Sequence, residues 1–315
     1  QFVSVKNLFT VYSIAYGLVV LWAIYHWSTY SFNPVTIPKI FEPFYADHTI
    51  FGASGVILLL FWLVELFKRK LLSHKLDALA FAAIAFLGVA MSSSRAAFLS
   101  IPVGLVVFII VKMGFRKRHL VFTAFSLSMA LFVYRQDVVN LIEYNNYNSR
   151  DEHANLLERT ASVANVQTDV SNVERINRWA AAINMFKEKP FFGFGPGVFQ
   201  FAYIPYQDER FKNRLTVEDV HHIPQNSGGT VHSELFLYLS ELGLFGLAAF
   251  IFFVFGCIWL VLSKEPKNRS ATLVVCFALM STYFFHCLFN NFLNTDKFAF
   301  LFWGAAGTFL SEFKK

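Results

Sequence analysis

Residues 50–67 read IFGASGVILLLFWLVELF and run directly into Lys68, Arg69 and Lys70. A run of this length whose one carboxylate, Glu65, lies near its end is suited to crossing the hydrocarbon of a bilayer. There it must be helical, because only a helix satisfies its own backbone polar groups within one segment. The three cations after it mark its cytoplasmic end by the positive-inside rule. Working outward, comparable apolar blocks fall at 8–27, 76–92, 96–111, 120–134, 235–262, 271–290 and 298–313. The expected fold is all-α: a polytopic helical membrane protein with about eight transmembrane helices.

Composition agrees. Of 315 residues, 56% are hydrophobic and 15% charged, and 39 are Phe, which excludes an ordinary soluble domain. The net charge of +6 does not indicate nucleic acid, because its distribution follows membrane topology. Lys6, Lys75, Lys112, Arg116, Lys117, Arg118, Lys264, Lys267, Arg269, Lys314 and Lys315 fall in one set of short connections, together with 68–70. The alternate set holds only Lys39, Arg95 and Lys297. The first set is therefore expected in the cytoplasm, with both ends of the chain. Cys257, Cys276 and Cys287 lie in apolar blocks without metal-ligand spacing and read as small packing residues. The chain begins at Gln1 rather than Met, and further helices are expected before it.

Residues 135–231 break the hydropathy pattern and form one large polar loop on the extracytoplasmic side. The organisation expected is 1–134 for the first five spans, 135–231 for the periplasmic loop, and 232–315 for an interfacial or re-entrant helix and the last three spans. Within the loop, Ile176, Trp179, Ile183 and Phe186 recur at helical spacing, which predicts an amphipathic helix lying on the membrane surface with that stripe inward. Pro190 ends it, and Gly193, Gly195, Pro196 and Gly197 make a turn. Block 235–262 is longer than one span needs. Gly243 and Gly246 are expected to divide it into an interfacial helix up to Leu242 and a true span from Leu247.

Several residues could carry chemistry. Arg95 follows Ser92, Ser93 and Ser94 between two apolar blocks, where an arginine is costly unless it has a partner or a task. It reads either as a snorkelling side chain or as an anion clamp, since guanidinium matches phosphate oxygens. Arg175 and Arg178 flank the apolar stripe of the loop helix, either as solvated charges or as ligands for a headgroup-level diphosphate. His232, directly before the re-entering block, reads as a structural helix-start histidine or as a general base. Glu218, Asp219, His221 and His222 cluster, but without the helical context that makes metal motifs specific. No Asp-x-Asp and no phosphate-binding loop is present, so neither a metal nor a cofactor is expected. Glu65 and Asp77 sit near the cytoplasmic ends of their spans, where charges reach water.

Three segments together resemble the family of O-antigen ligases and Wzy-type polymerases. The first is Ser92-Ser93-Ser94-Arg95 with its small-residue helix. The second runs from Arg175, Arg178 and Trp179 to the Pro190, Gly193, Gly195, Gly197 and Phe199 turn. The third is His232-Ser233 leading to Glu241-Leu242-Gly243 and Gly246. Ser233 stands where that family usually has Asn, and Asp47-His48 loosely resembles another of its segments. The resemblance is clearest over residues 76–262. It implies a GT-C glycosyltransferase of the bacterial inner membrane, with its active site facing the periplasm. The reaction implied is inverting, metal-independent transfer of a glycan from undecaprenyl diphosphate to an acceptor hydroxyl. Arg95 and Arg175 would hold the diphosphate, Arg178 would assist or replace one of them, and His232 would be the base.

The acceptor stays open in the sequence. Lipid A–core makes a ligase in lipopolysaccharide biosynthesis, a growing glycan makes a polymerase, and a protein hydroxyl makes an O-oligosaccharyltransferase. The ligase is the expectation. The readings from other classes are a transporter, which would need midplane charges and matching broken helices that the sequence lacks, and a non-catalytic membrane subunit using its loop to dock.

Overall fold

In the computed structural model, residues 5–68, 71–114, 170–213, 215–218 and 229–314 are described. The expected span at 120–134, the first part of the loop, and Asp219, His221 and His222 lie outside them. Among the described residues the protein is all-helical, with no strand. We number the helices α1 (Val5–Thr29), α2 (His48–Lys68), α3 (Leu72–Ser92), α4 (Arg95–Lys112), α5 (Val170–Glu188), α6 (Phe199–Ala202), α7 (Glu234–Ser263), α8 (Ala271–His286) and α9 (Asp296–Lys314). Helices α1 to α4 and α7 are long and apolar enough to cross a membrane. Helix α8 is apolar but shorter, its block ending at His286 rather than at residue 290. The chain forms two compact units, Gln1–Gly114 with Lys264–Lys315, and Phe115–Ser263.

In the first unit α2 is the central helix. Its run from Phe51 to Trp62 is buried throughout, and α3, α4, α8 and α9 all pack on it. Lipid is as apolar as these side chains, so close backbone approach and internal hydrogen bonds hold such helices together. Gly55 of α2 and Gly88 of α3 open the space that Tyr16 of α1 fills. The Tyr16 ring stacks on Phe51 at 4.2 Å between centroids, and its hydroxyl donates to the Phe51 carbonyl at 3.3 Å. Trp62 Nε1 donates to Ser13 Oγ at 2.7 Å, and the Tyr12 and Tyr45 hydroxyls meet at 2.8 Å. Every one of these contacts joins segments distant in sequence. The faces that carry Leu18, Leu21, Leu79 and Phe86 remain exposed, as faces turned to lipid do.

The Lys112 end of α4 is tied down by a buried arginine. Arg269 donates from a terminal nitrogen to the Val111 carbonyl at 2.7 Å and from Nε to the Lys264 carbonyl at 3.0 Å. This supplies donors that the last carbonyls of a helix lack. Arg269, counted in the sequence as a topology-setting cation, is therefore also a helix cap.

The second unit is built around α5 and the first half of α7. Its core joins Ala181, Ala182 and Met185 of α5 to Phe199, Tyr203, Val217 and Val231, with Trp179 and Phe236 packed against it.

The Tyr16 contact carries a prediction. Gly88→Ala places a methyl group on the Tyr16 ring, which is buried and cannot swing away. It is expected to cost about 1–3 kcal/mol, seen as a lower thermal midpoint in detergent. Gly256→Ala, which meets open space, is expected to be neutral.

Candidate active site

The loop unit places three of the four singled-out residues together. Arg175 and Arg178 lie on α5. His232 lies two residues before α7, and both guanidinium charges act on it. The imidazole is packed inside the protein although part of its surface is accessible. Burial pushes its pKa well below the usual histidine value of 6.5, and the charges of Arg178 and Arg175 push it further the same way. His232 is therefore neutral at physiological pH, the form able to accept a proton. Its φ of 53° is left-handed, uncommon for a residue with a side chain and a frequent mark of functional positions.

Arg178 holds this backbone in place. It is buried, its Nε donates to Glu174 Oε1 at 2.9 Å, and a terminal nitrogen donates to the Thr230 carbonyl at 2.7 Å. Glu174 Oε2 accepts from Thr216 Oγ1 at 3.0 Å. One buried ion pair thus joins α5, the segment entering His232, and the connection around Thr216. The Arg178 guanidinium, expected to assist in binding a diphosphate, is thus engaged within the protein through Nε and one terminal nitrogen. Arg175 is half-buried.

The buried face of α5 also departs from the expected stripe. Val173, Glu174, Asn177, Arg178, Ala181, Ala182 and Met185 form it, while Ile183 is exposed. Asn177 donates from Nδ2 to Gln207 Oε1 at 2.9 Å and accepts from the Asp208 N–H at 2.9 Å. Trp179 stacks on Phe236 of α7 with ring centroids 5.3 Å apart, so this part of the apolar stripe packs on protein rather than on lipid.

The glycine-rich turn and the Glu-x-Gly segment are two halves of one latch. Helix α7 breaks at Gly243, whose φ of 65° and ψ of −158° belong to a region that side chains exclude. The expected division at Gly243 and Gly246 falls at Gly243 alone. A break exposes carbonyls on one side and N–H groups on the other, and the turn after α5 satisfies both. Phe194 and Gly195 donate N–H groups to the Ser240 and Glu241 carbonyls at 3.0 and 2.8 Å. The Pro190 and Phe191 carbonyls accept from Leu244 and Phe245 at 2.7 and 3.4 Å. The Glu241 carboxylate then accepts from the N–H groups of Gly197 at 2.8 Å and Phe199 at 3.0 Å, fixing the start of α6. Only glycine allows this approach. A Cβ on Gly193 would meet the Leu242 nitrogen at 2.6 Å, and one on Gly243 would meet the Phe191 carbonyl at 2.5 Å.

Arg95 belongs to the first unit, as the first residue of α4. Ser93 is left-handed with a φ of 49°, and the Ser94 side chain caps α4 by accepting from the Ala97 N–H at 3.3 Å. Helix α4 has no acidic residue in its first turn, so the positive end of its dipole and the guanidinium add rather than cancel. Sequence reasoning gave little weight to His48, yet His48 fixes this turn. Its Nδ1 lies 2.6 Å from the Ser92 carbonyl. A carbonyl only accepts, so Nδ1 carries the proton. Gly52, one turn along α2, lets Ser92 and Ala97 approach closely: a Cβ there would lie 3.0 Å from the Ser92 Cβ and 3.2 Å from the Ala97 Cβ.

Glu218 is exposed, and its expected cluster partners fall outside the described residues.

A sequence model of the family described as O-Antigen ligase matches residues 80–251, more than half of the chain. The chain belongs to the O-antigen ligase family. The match spans the Ser92–Arg95 turn, α5, the glycine turn, His232 and the Gly243 break. No curated protein matches the chain. With its apolar helices, membership makes this a multi-pass membrane protein whose general activity is ligase-like glycan transfer.

The latch makes Gly243 a demanding position in this member of the O-antigen ligase family. Gly243→Ala combines a forbidden backbone conformation with a clash against the Phe191 carbonyl. A loss exceeding about 3 kcal/mol is expected, read as rapid proteolysis of the 190–199 turn in protein that still inserts into membranes.

Proposed function

We propose that this member of the O-antigen ligase family transfers a glycan from an undecaprenyl diphosphate carrier to an acceptor hydroxyl at the periplasmic face of the bacterial inner membrane. The acceptor we assign is lipid A–core, which makes the protein an O-antigen ligase. A growing glycan or a protein hydroxyl are the alternatives within the same chemistry. The observation that carries the reading is a partly accessible histidine of lowered pKa, with two arginine charges acting on it, just before an apolar helix. That combination suits a reaction between a lipid-borne diphosphate and a hydroxyl.

In this mechanism the acceptor oxygen attacks the anomeric carbon on the face opposite the diphosphate. The new C–O bond forms as the bond to the diphosphate breaks, with inversion. The hydroxyl proton passes to His232, and the bonding electrons leave on the diphosphate. That leaving group needs charge stabilisation more than a proton, and fixed guanidinium groups provide it without reorganisation. We assign Arg95 and Arg175 to the diphosphate, His232 to the proton, and Arg178 to holding the backbone that carries His232. No metal or cofactor takes part in this scheme.

The test is transfer in vitro with carrier-linked glycan and defined acceptors. Arg95→Ala, Arg175→Ala and His232→Asn are each expected to lower transfer at least about tenfold, the scale of a lost transition-state contact, while folded protein is retained. Asn is chosen at 232 because it tolerates a left-handed backbone. Arg178→Ala, which strands Glu174 in the core, is expected to cost folded protein as well as transfer. EDTA is expected to leave the rate unchanged. Activity retained in His232→Asn, or confined to metal-loaded protein, contradicts the scheme.

The pH dependence follows from the same histidine. Its pKa is lowered, so protonation inactivates the base only at pH values well below 6.5. The expected kcat/KM is flat from neutrality down through the ordinary histidine range and falls only below it. An acid limb centred near 6.5 contradicts the assignment.

A further inference from the structure

The turn that latches onto α7 exposes its aromatic side chains. Phe191 is 59% exposed and Phe192 77%, while Phe245 of α7, beside them, is 58% exposed. The rings form one patch: Phe192 and Phe245 lie 5.3 Å apart between centroids, and Phe191 and Phe245 6.3 Å. In water such a patch is unfavourable, at roughly 25 cal/mol for each Å² of apolar surface, and proteins keep patches of this kind only where something covers them.

Three observations on the same unit indicate what covers it. The patch is continuous with the exposed face of the long apolar helix, through Leu244, Phe252, Phe255 and Trp259. The backbone bonds from Leu244 and Phe245 to the Pro190 and Phe191 carbonyls fix the turn to the point where that helix resumes after its break. Lys187 and Lys189, exposed at the end of α5, stand directly before the aromatic pair in the chain. Exposed phenyl rings with ammonium groups close by in the chain are a combination that the acyl and phosphate layers of a leaflet accept.

The geometry points to a bilayer wedge: Phe191 and Phe192 insert between the acyl chains of the leaflet on the loop side, with Lys187 and Lys189 at the level of the lipid phosphates. The wedge sets the height of α5, and with it Arg175 and His232, relative to the membrane surface. This assignment does not depend on the transfer reaction.

Spin labels on the full chain in phosphatidylethanolamine–phosphatidylglycerol vesicles test it. Labels are placed singly at Phe192→Cys and Phe191→Cys, with Phe252→Cys as the lipid-facing reference and Glu209→Cys as the aqueous one; Cys257, Cys276 and Cys287 are buried, and unsubstituted protein sets the background. The ratio of collisions with oxygen to collisions with a water-soluble nickel chelate is expected to be several-fold higher at 191 and 192 than at 209, and close to that at 252. A ratio at 192 equal to that at 209 places the turn in water and overturns the wedge. Low collision rates with both reagents mean that protein covers the patch, and overturn it equally. Neither outcome affects the transfer assay, so the two readings fail separately.

Discussion

The arrangement of the loop depends on one interruption, the loss of helical backbone at Gly243. A continuous helix from Glu234 to Ser263 would keep its hydrogen bonds to itself and offer nothing to the loop. The break frees the Ser240 and Glu241 carbonyls and the Leu244 and Phe245 N–H groups, and these four groups hold the turn from Pro190 to Gly195. Near a bilayer, unsatisfied backbone groups cost several kcal/mol each, so the latch is close to obligatory once the helix is interrupted. It also explains why one segment has Gly-x-Gly-x-Gly and the other Glu-x-Gly. Gly193 and Gly243 remove the Cβ atoms that would separate the two backbones, Gly195 and Gly197 supply the positive φ of the turn, and the carboxylate accepts from the Gly197 and Phe199 N–H groups.

The second support of the loop is electrostatic. Arg178 and Glu174 neutralise one another in the core, and each keeps a further bond that reaches across the sequence, to Thr230 and to Thr216. A buried pair of this kind adds little net stability against an apolar pair of the same shape, but losing one partner is severe. Its contribution is specificity of position. The bond to Thr230 lies two residues before His232, where the backbone is left-handed, so the histidine is held by a group that could not shift without exposing a buried charge. The Ser92–Arg95 turn follows the same logic in the first unit: a left-handed Ser93, a capping Ser94 and a histidine from another helix hold the backbone that presents an arginine.

The all-helical membrane fold was legible because its cause is local. Apolar length and cation placement follow from the bilayer, and 50–67 already carries both. The helix within the loop and its end before Pro190 were legible for the same reason. Periodicity did not reveal which face of α5 packs on the protein. The apolar stripe of Ile176, Trp179, Ile183 and Phe186 is the stronger signal in sequence, whereas the face buried in the protein sets Glu174, Asn177 and Arg178 among small and medium apolar residues, each polar group with a partner inside the protein. Only the spacing of Glu174 and Arg178, one helical turn apart, hinted at the pair. The roles of Glu241 and His48 were not legible, since each acts on backbone groups distant in sequence. The candidate site residues stood out by type and position, and their proposed roles came from resemblance.

A largely enclosed histidine pressed by two guanidinium groups is a weak base in the free protein, a property opposed to its proposed task. The resolution lies in the charge of the donor. Burial is the larger cause of the depressed proton affinity and persists throughout, but the arginine field does not. In the proposed scheme, a diphosphate held by Arg175 would offset that field with negative charge and raise the proton affinity of His232. By linkage, protonation of His232 must strengthen diphosphate binding by the same factor. The histidine therefore stays neutral while the site is empty and gains basicity when the carrier arrives. Proton transfer from the acceptor then leaves an imidazolium whose charge favours the departing diphosphate. Arginines that look adverse to a base in the resting protein thus couple its strength to the presence of the substrate.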